Sequence, residues 1–505
     1  MRIIVFFIIV LFFPVQVFAQ LEYNARVEFN TTPTADEEFD VLPLSKDGLL
    51  VTHRKDEFYG NEKWTFHRYD STLKESWNIE YKLERDVKPL RFFYNQNHLY
   101  WLFKDSDHNE RFSILRLDLV RGETDVFKGS IHTDVEISHF KVLGNLALMG
   151  GYYNSKPVVM TFSFFDKSVK ILPYLLLNNT EISDVEIDEA HNEIVVVLYS
   201  MQKRKCQLTL KYYSYDGKLL KTLNPTFEQD HGLISGKVIS LSNNNSLLVG
   251  NYAQGCTQYS QGIYFSRIHD GDLEPIQWVD FSQLENFFNY LKPKRKQKMI
   301  ERITKRKESG KEPKFRYKII VHDIIETANE YVFTAEIYYP TISTNTNAVL
   351  GSTRRSDENQ SYRYTHAFVC GIDKNTGQLT WDNCLDLNEI ESKQLLEITQ
   401  ITEQNNKLIL AYPNKGKINT AVIAKNKVLR EREEFEIKTT ASNEKITDNE
   451  DEELAAWYNN NFLLFGYQKV MDEKGRGDKR EVFSVSKVIY DTNVPIKNDN
   501  KKPSK

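Results

Sequence analysis

Between Lys292 and Lys314 the chain carries eleven basic residues against three acidic ones, a local excess of +8. Subtracting these from 66 basic and 70 acidic residues leaves 55 against 67, or −12, for the rest of the chain. Clustered cations on an acidic body attract anionic surfaces and polymers. The side chains placed to do this are Lys294, Arg295, Lys298, Arg302, Lys305 and Arg306. A second polar stretch, about 340–364, adds Arg354, Arg355, Tyr362, Arg363 and Tyr364.

Other chemistry is sparse. The sequence has no His-Glu-x-x-His, no Gly-x-Ser-x-Gly and no phosphate-binding Gly-Lys-Ser/Thr loop. Its eleven histidines lack ligand spacing, and strand alternation points His322 and Asp323 to opposite faces, which makes His322 a structural residue. Asp448, Glu450, Asp451, Glu452 and Glu453 lack the glycine and spacing of a Ca²⁺ loop and read as a solvated acidic loop. No metal, cofactor or catalytic residue is assigned. Four cysteines allow three pairings. Cys206 and Cys256 are expected to bridge, whereas Cys370 and Cys384 flank one hairpin about three residues, or roughly 10 Å, out of register and are expected to be free and buried.

The elements that must carry these residues recur. Apolar runs begin at Leu49, Leu99, Leu146, Ile194, Leu247, Tyr331, Leu408 and Phe462, each just after an Asn- or Gly-bearing turn. Their spacings are 50, 47, 48, 53, 84, 77 and 54 residues. A period near 50 with strand-like content predicts an all-β chain, a single β-propeller of four-stranded blades. Abundant aromatics (30 Phe, 27 Tyr, 6 Trp) suit sheets packed face to face. Turns after the third strand number seven against eight second strands, so the last repeat lacks an outer strand. Glu22 to Phe29 can supply it and close the ring. Eight blades is the expectation and seven the alternative.

One segment, Ile372-Asp373-Lys374-Asn375-Thr376-Gly377-Gln378-Leu379-Thr380-Trp381-Asp382, resembles the strand–turn–strand signature of quinoprotein-type propeller repeats. The resemblance covers about a dozen residues and implies the fold; no specific family is recognised. The quinoprotein dehydrogenases it resembles place adjacent cysteines over their cofactor, and no two cysteines are adjacent here.

Two repeats exceed the period. The first excess, about 282–313, opens with Ser282-Gln283-Leu284-Glu285, the spacing of a capping box. Leu284, Phe287, Phe288 and Leu291 follow at helical intervals, and Pro293 starts a second helix with Met299, Ile300 and Ile303 on one side. Gly310 and Pro313 end it. This basic helix is expected to lie in solvent and add little to the cores. The second excess is a loop between a second and a third strand. In an antiparallel meander both insertions leave from one face, where binding elaborations belong.

Residues 1–19 read as a signal peptide: Arg2, an apolar run from Ile3 to Phe13, then Val17-Phe18-Ala19. That run is too short to span a bilayer. The propeller is assigned to 20–490 and a disordered tail to 491–505. The chain therefore reads as an exported protein, periplasmic or secreted, that does not span the membrane. It is expected to act as a binding or scaffolding module for a cell-envelope protein or an anionic polymer, with nucleic acid a poor candidate. The alternative is a carbohydrate-active hydrolase or lyase using carboxylates at the propeller axis.

Overall fold

The computed structural model describes residues 20–31, 37–57, 61–83, 87–95, 97–131, 133–189, 191–202, 205–225, 231–241, 245–269, 271–342, 360–441, 443–472 and 479–492. Residues 1–19, Arg354, Arg355 and the tail beyond Thr492 lie outside them.

Eight antiparallel sheets follow one another along the chain, each a meander whose first strand is innermost. The inner strands are Glu37–Pro43, Val87–Tyr94, Glu136–Leu143, Thr180–Asp188, His231–Ser240, Lys318–Val321 with Ile325–Glu326, Gln400–Gln404 and Glu444–Ala456. The second strands are Leu49–Glu57, His98–Asp105, Leu146–Tyr153, Glu193–Gln202, Asn245–Gln254, Glu330–Ile342, Lys407–Asn414 and Asn461–Asp472. All eight expected apolar runs start within two residues of these strands. The turns before them take the left-handed backbone their residues allow, with φ +52° at Gly144, +57° at Asn192, +54° at Asn405 and +51° at Asn459. At Gly48 (φ +114°) an added Cβ would lie 2.0 Å from the Tyr69 carbonyl oxygen, so only glycine fits.

The apolar core divides into eight clusters, each shared by two successive blades. Leu42, Leu50, Trp64, Leu99 and Trp101 fill the space between the first and second blades. Leu408, Leu410, Val369 and Trp381 fill that between the sixth and seventh. The eighth cluster joins the last blade to the first, with Trp457, Leu463, Phe483 and Val485 against Val41, Leu49, Val51 and Tyr69. The molecule is therefore a closed eight-bladed β-propeller, and the seven-bladed alternative falls away.

Closure works as the strand count requires. Leu21–Asn30 pairs antiparallel with Arg480–Tyr490, from Leu21 opposite Tyr490 to Asn30 opposite Val482, as the outer strand of the eighth blade. Across the same seam Trp457 Nε1 donates to the Gly48 carbonyl at 2.9 Å, Lys487 Nζ to that of Ser71 at 2.9 Å and Tyr467 Oη to that of Glu37 at 2.7 Å. Phe39 stacks on Phe483 with ring centroids 4.3 Å apart.

Cys206, in the third strand of the fourth blade, forms a disulfide with Cys256, in the loop after the fifth blade's second strand, with Cα atoms 5.2 Å apart. Cys370 and Cys384 are free as expected; Cys370 is buried, whereas Cys384 is half-buried, with desolvation still pushing its thiol up to about 12. Their offset is smaller than expected. Cys370 faces Asp382 and Phe368 faces Cys384, because Thr380 is an extra residue in a bulge between Gly371 and Ile372.

Deleting residues 20–30 should lower the melting temperature by several degrees, since it strips the eighth blade of a strand and unpairs Arg480–Tyr490. Deleting 493–505 should leave it nearly unchanged. Calorimetry of the two truncations checks this; equal melting temperatures would contradict it.

Candidate functional site

The fifth blade's outer strand ends at Asp280, opposite Gly262 at the start of its third strand. The first insertion therefore leaves from the face that carries the loops between second and third strands. Its first part is not helical as expected. Phe281–Gln283 and Phe287–Tyr290 are separate 3-10 turns, and the capping box is Asp280 with Gln283 rather than Ser282 with Glu285. Asp382, from the sixth blade's outer strand, accepts the amides of Glu285 at 2.9 Å and Asn286 at 2.8 Å, which is why no continuous helix forms there. The second part is a helix, α1, Pro293–Glu308, with Pro293 at its start and Gly310 (φ +66°) just past its end.

The insertion is not a solvated appendage. Phe281, Leu284, Phe287, Phe288, Ile303, Phe315 and Tyr317 belong to the cluster between the fifth and sixth blades, correcting the expectation of little core contribution. Tyr290 stacks on His366 with centroids 3.7 Å apart. Burial drives the His366 imidazole down to about 3, so it is neutral at any ordinary pH. One buried side chain ties both ends down: Gln261 Nε2 donates to Asp280 Oδ2 at 2.8 Å and to the Pro313 carbonyl at 2.5 Å, while its Oε1 accepts the Phe315 amide at 3.3 Å. Met299 and Ile303 face this core, whereas Ile300 points to solvent.

With one side of α1 anchored, Lys294, Arg295, Lys298, Arg302 and Lys305 are exposed, and among the described residues no carboxylate pairs with them. Arg306 is half-buried and donates from Nε to the Glu312 carbonyl at 2.9 Å. The second insertion is shorter than expected. Tyr362, Arg363 and Tyr364 lie within the strand Gln360–Asp373 and not in a loop. Arg363 is held by Glu391 at 2.5 Å, and the Tyr364 hydroxyl donates to the Leu396 carbonyl at 2.7 Å. Neither is a free contact group.

The axis holds a second set of charges. The inner strands of the third, fourth and fifth blades share a bulge, at Ser138, Ser183 and Ile234, and three residues beyond it stand Lys141, Glu186 and Lys237. Lys141 pairs with Glu186 at 2.6 Å and Lys237 with Asp323 at 3.2 Å. The charges alternate in sign from blade to blade. Ser183 Oγ locks two of these strands by donating to the Gly236 carbonyl and accepting its amide, both at 2.9 Å. Burial, reinforced by Glu186 and opposed by Lys141 and Lys237, pushes the Asp184 carboxyl up to about 6.

His322 and Asp323 do point apart. His322 is buried 3.3 Å from Glu336, while Asp323 is exposed. Burial pulls the His322 imidazole down, but the Glu336 carboxylate together with Glu397 more than offsets it and holds it above its ordinary value. The acidic run at 448–453 is strand, not loop: it lies in Glu444–Ala456, with a bulge between Glu450 and Glu453. Among the described residues no three His, Cys, Asp or Glu side chains gather closely enough to hold a metal, and no helix is long and apolar enough to cross a membrane.

Fold and site together define a closed propeller with one elaborated loop face. No protein-family model matches the sequence, and no curated protein matches it. Among solved structures it is similar to the polysaccharide lyase Uly1 (9% identity, 79% of this chain and 89% of that one, TM-score 0.37). It is also similar to the β-propeller domain of the trilobed protease from Pyrococcus furiosus (8% identity, 78% and 98%, TM-score 0.35). A third is a puromycin-hydrolysing peptidase from Mycobacterium tuberculosis (7% identity, 78% and 52%, TM-score 0.39). Likeness at this level says nothing about chemistry.

The raised Asp184 carboxyl keeps in the fold a proton that the unfolded chain releases between about pH 4 and pH 6, so stability should fall as pH rises through that window. Asp184→Asn removes the effect. Relative to wild type it should gain about 1–3 kcal/mol between about pH 4 and pH 7 and nothing below. Denaturant unfolding of both proteins across that range checks this; a difference independent of pH would contradict it.

Proposed function

We propose that this propeller is an exported binding module whose elaborated face captures an anionic partner, an acidic cell-envelope protein or an anionic polymer. The observation that carries the reading is the row of five cations on α1 that pair with no carboxylate among the described residues, held on a helix whose other side is built into the core between two blades. Cations that only kept the chain soluble would need no such anchor. The fixed helix presents its charges without an ordering cost at the moment of binding. Export is supported by the apolar leader at residues 3–13 and by the Cys206–Cys256 disulfide, a bond that persists outside reducing compartments.

The carbohydrate-active alternative needs axial carboxylates free to act as acid and base. Glu186 is paired to Lys141 and Asp323 to Lys237, which favours a structural role for these two carboxylates.

Binding should be electrostatic in its rates. Immobilised polyglutamate and dextran sulfate serve as anionic probes, and affinity should fall steadily as salt approaches the level where the Debye length is about 8 Å. Reversing Lys294, Arg295, Lys298 and Arg302 to Glu should slow association far more than it speeds dissociation, with the melting temperature within a few degrees of wild type. Affinity that ignored both salt and charge reversal would sink the proposal.

A further inference from the structure

The same loop face carries a second feature, away from α1. A cleft of about 1190 Å³ opens where the second, third and fourth blades meet. Its walls come from the end of one second strand at Lys104, the Asn154–Ser155 turn, and the entries to two inner strands at Glu136 and Thr180–Glu181. Some of its groups are already occupied. Lys104 pairs with Asp134 at 2.6 Å, and the Tyr152 hydroxyl accepts the Ile182 amide at 2.9 Å. Others are open. The side chains of Glu136, Glu181, Asn154, Asn178 and Lys156 line the cleft and, among the described residues, have no side-chain hydrogen bond or ion pair.

We infer that this cleft is a binding site for a segment of uncharged oligosaccharide. Four properties point to that class. The volume exceeds the roughly 300–1,000 Å³ of ordinary small-molecule pockets, which suits several units of a chain. Every residue that lines it carries a polar or charged group, with apolar surface between those groups, which suits the mixed faces of a sugar better than a lipid chain. Beyond the Lys104–Asp134 pair it presents two carboxylates and one ammonium, so a polyanion is repelled here while it is attracted to α1. Finally, carboxylate and amide groups close together offer acceptors and donors on the same wall, matching hydroxyl groups that both donate and accept. An extended peptide would instead need a free sheet edge for its backbone. The inner strands Glu136–Leu143 and Thr180–Asp188 are edge strands of their sheets, but only their first residues, Glu136 and Thr180–Glu181, line the cleft, too short a length of edge to pair a peptide strand.

Glu136 and Glu181 stand at the entries of neighbouring inner strands and would each accept sugar hydroxyls; Asn178 projects from the link between those blades. The site is independent of the anionic-partner reading, so each can fail alone.

The test is calorimetric titration of the full chain with hexamers of β-1,4-linked glucose, α-1,4-linked glucose and β-1,4-linked N-acetylglucosamine. At least one should bind saturably at micromolar to millimolar concentration, with little dependence on salt. Asn178→Trp, which fills the cleft, and the pair Glu136→Ala with Glu181→Ala should each weaken binding about tenfold or more. Unchanged melting temperatures would show that both variants fold. The α1 charge-reversal protein should bind the same hexamer as wild type does. Absence of binding by all three hexamers at millimolar concentration overturns the inference. So does binding that survives both cleft variants, or binding that is lost with the α1 charges.

Discussion

Eight sheets packed face to face leave two raw edges unless the ring is tied, and here the tie is made by residues nearly the whole chain apart. Leu21–Asn30 completes the last sheet, so the eighth blade holds both ends of the described chain. Every other interface depends on this one. Each apolar cluster belongs to two neighbours, and opening the seam between the last and first blades would bare Phe39, Phe483, Trp457 and Val51 to water. Burial of such side chains is worth about 1.5–3 kcal/mol each, against about 1 kcal/mol for a single seam hydrogen bond. The strand pairing sets the register and the apolar contacts supply most of the hold.

The same division of labour shapes the elaborated face. Aromatic residues anchor the first insertion, and the charges it exposes take no part in that anchoring. Surface ion pairs contribute little to stability, so a helix can give up pairing for its cations at almost no cost. Conversely, Asp280 and Asp382 hold the amides of Ser282, Glu285 and Asn286, and Gln261 bridges Asp280 to the backbone of Pro313 and Phe315. Binding capacity and rigidity sit on different side chains of one element. At the axis Lys141 pairs with Glu186 and Lys237 with Asp323, while the hold between inner strands comes from packing and from the Ser183–Gly236 hydrogen bonds.

Much of the ring was legible in the sequence because its signals are local. Asn192, Asn405, Asn459 and Gly144 mark hairpins through a backbone conformation that few other residues tolerate, and the eight runs behind them mark the second strands. Closure followed from counting turns, and the Cys206–Cys256 bridge from the topology the count implied. What stayed hidden depends on residues far apart in the chain. Asp382 caps a turn almost a hundred residues earlier, so Ser282–Glu285 looked like a better helix start than it is. The bulges at Ser138, Ser183 and Ile234 have no residue signature, and without them the alternating charges of the axis cannot be aligned. The cleft is assembled from three blades, none of which looks like a site alone. Arg363 shows the limit of reading charge by type: it looked free and is spent on Glu391.

Hydrogen exchange across the closing seam tests the account most directly, because the rigid face presupposes the closed ring. Peptides covering Leu21–Asn30 and Arg480–Tyr490 should be protected together and exchange together, at the rate set by the opening of the whole eighth blade. Fast exchange throughout Leu21–Asn30, at rates of free chain, while Arg480–Tyr490 stayed protected would show that the ring is not closed by this strand.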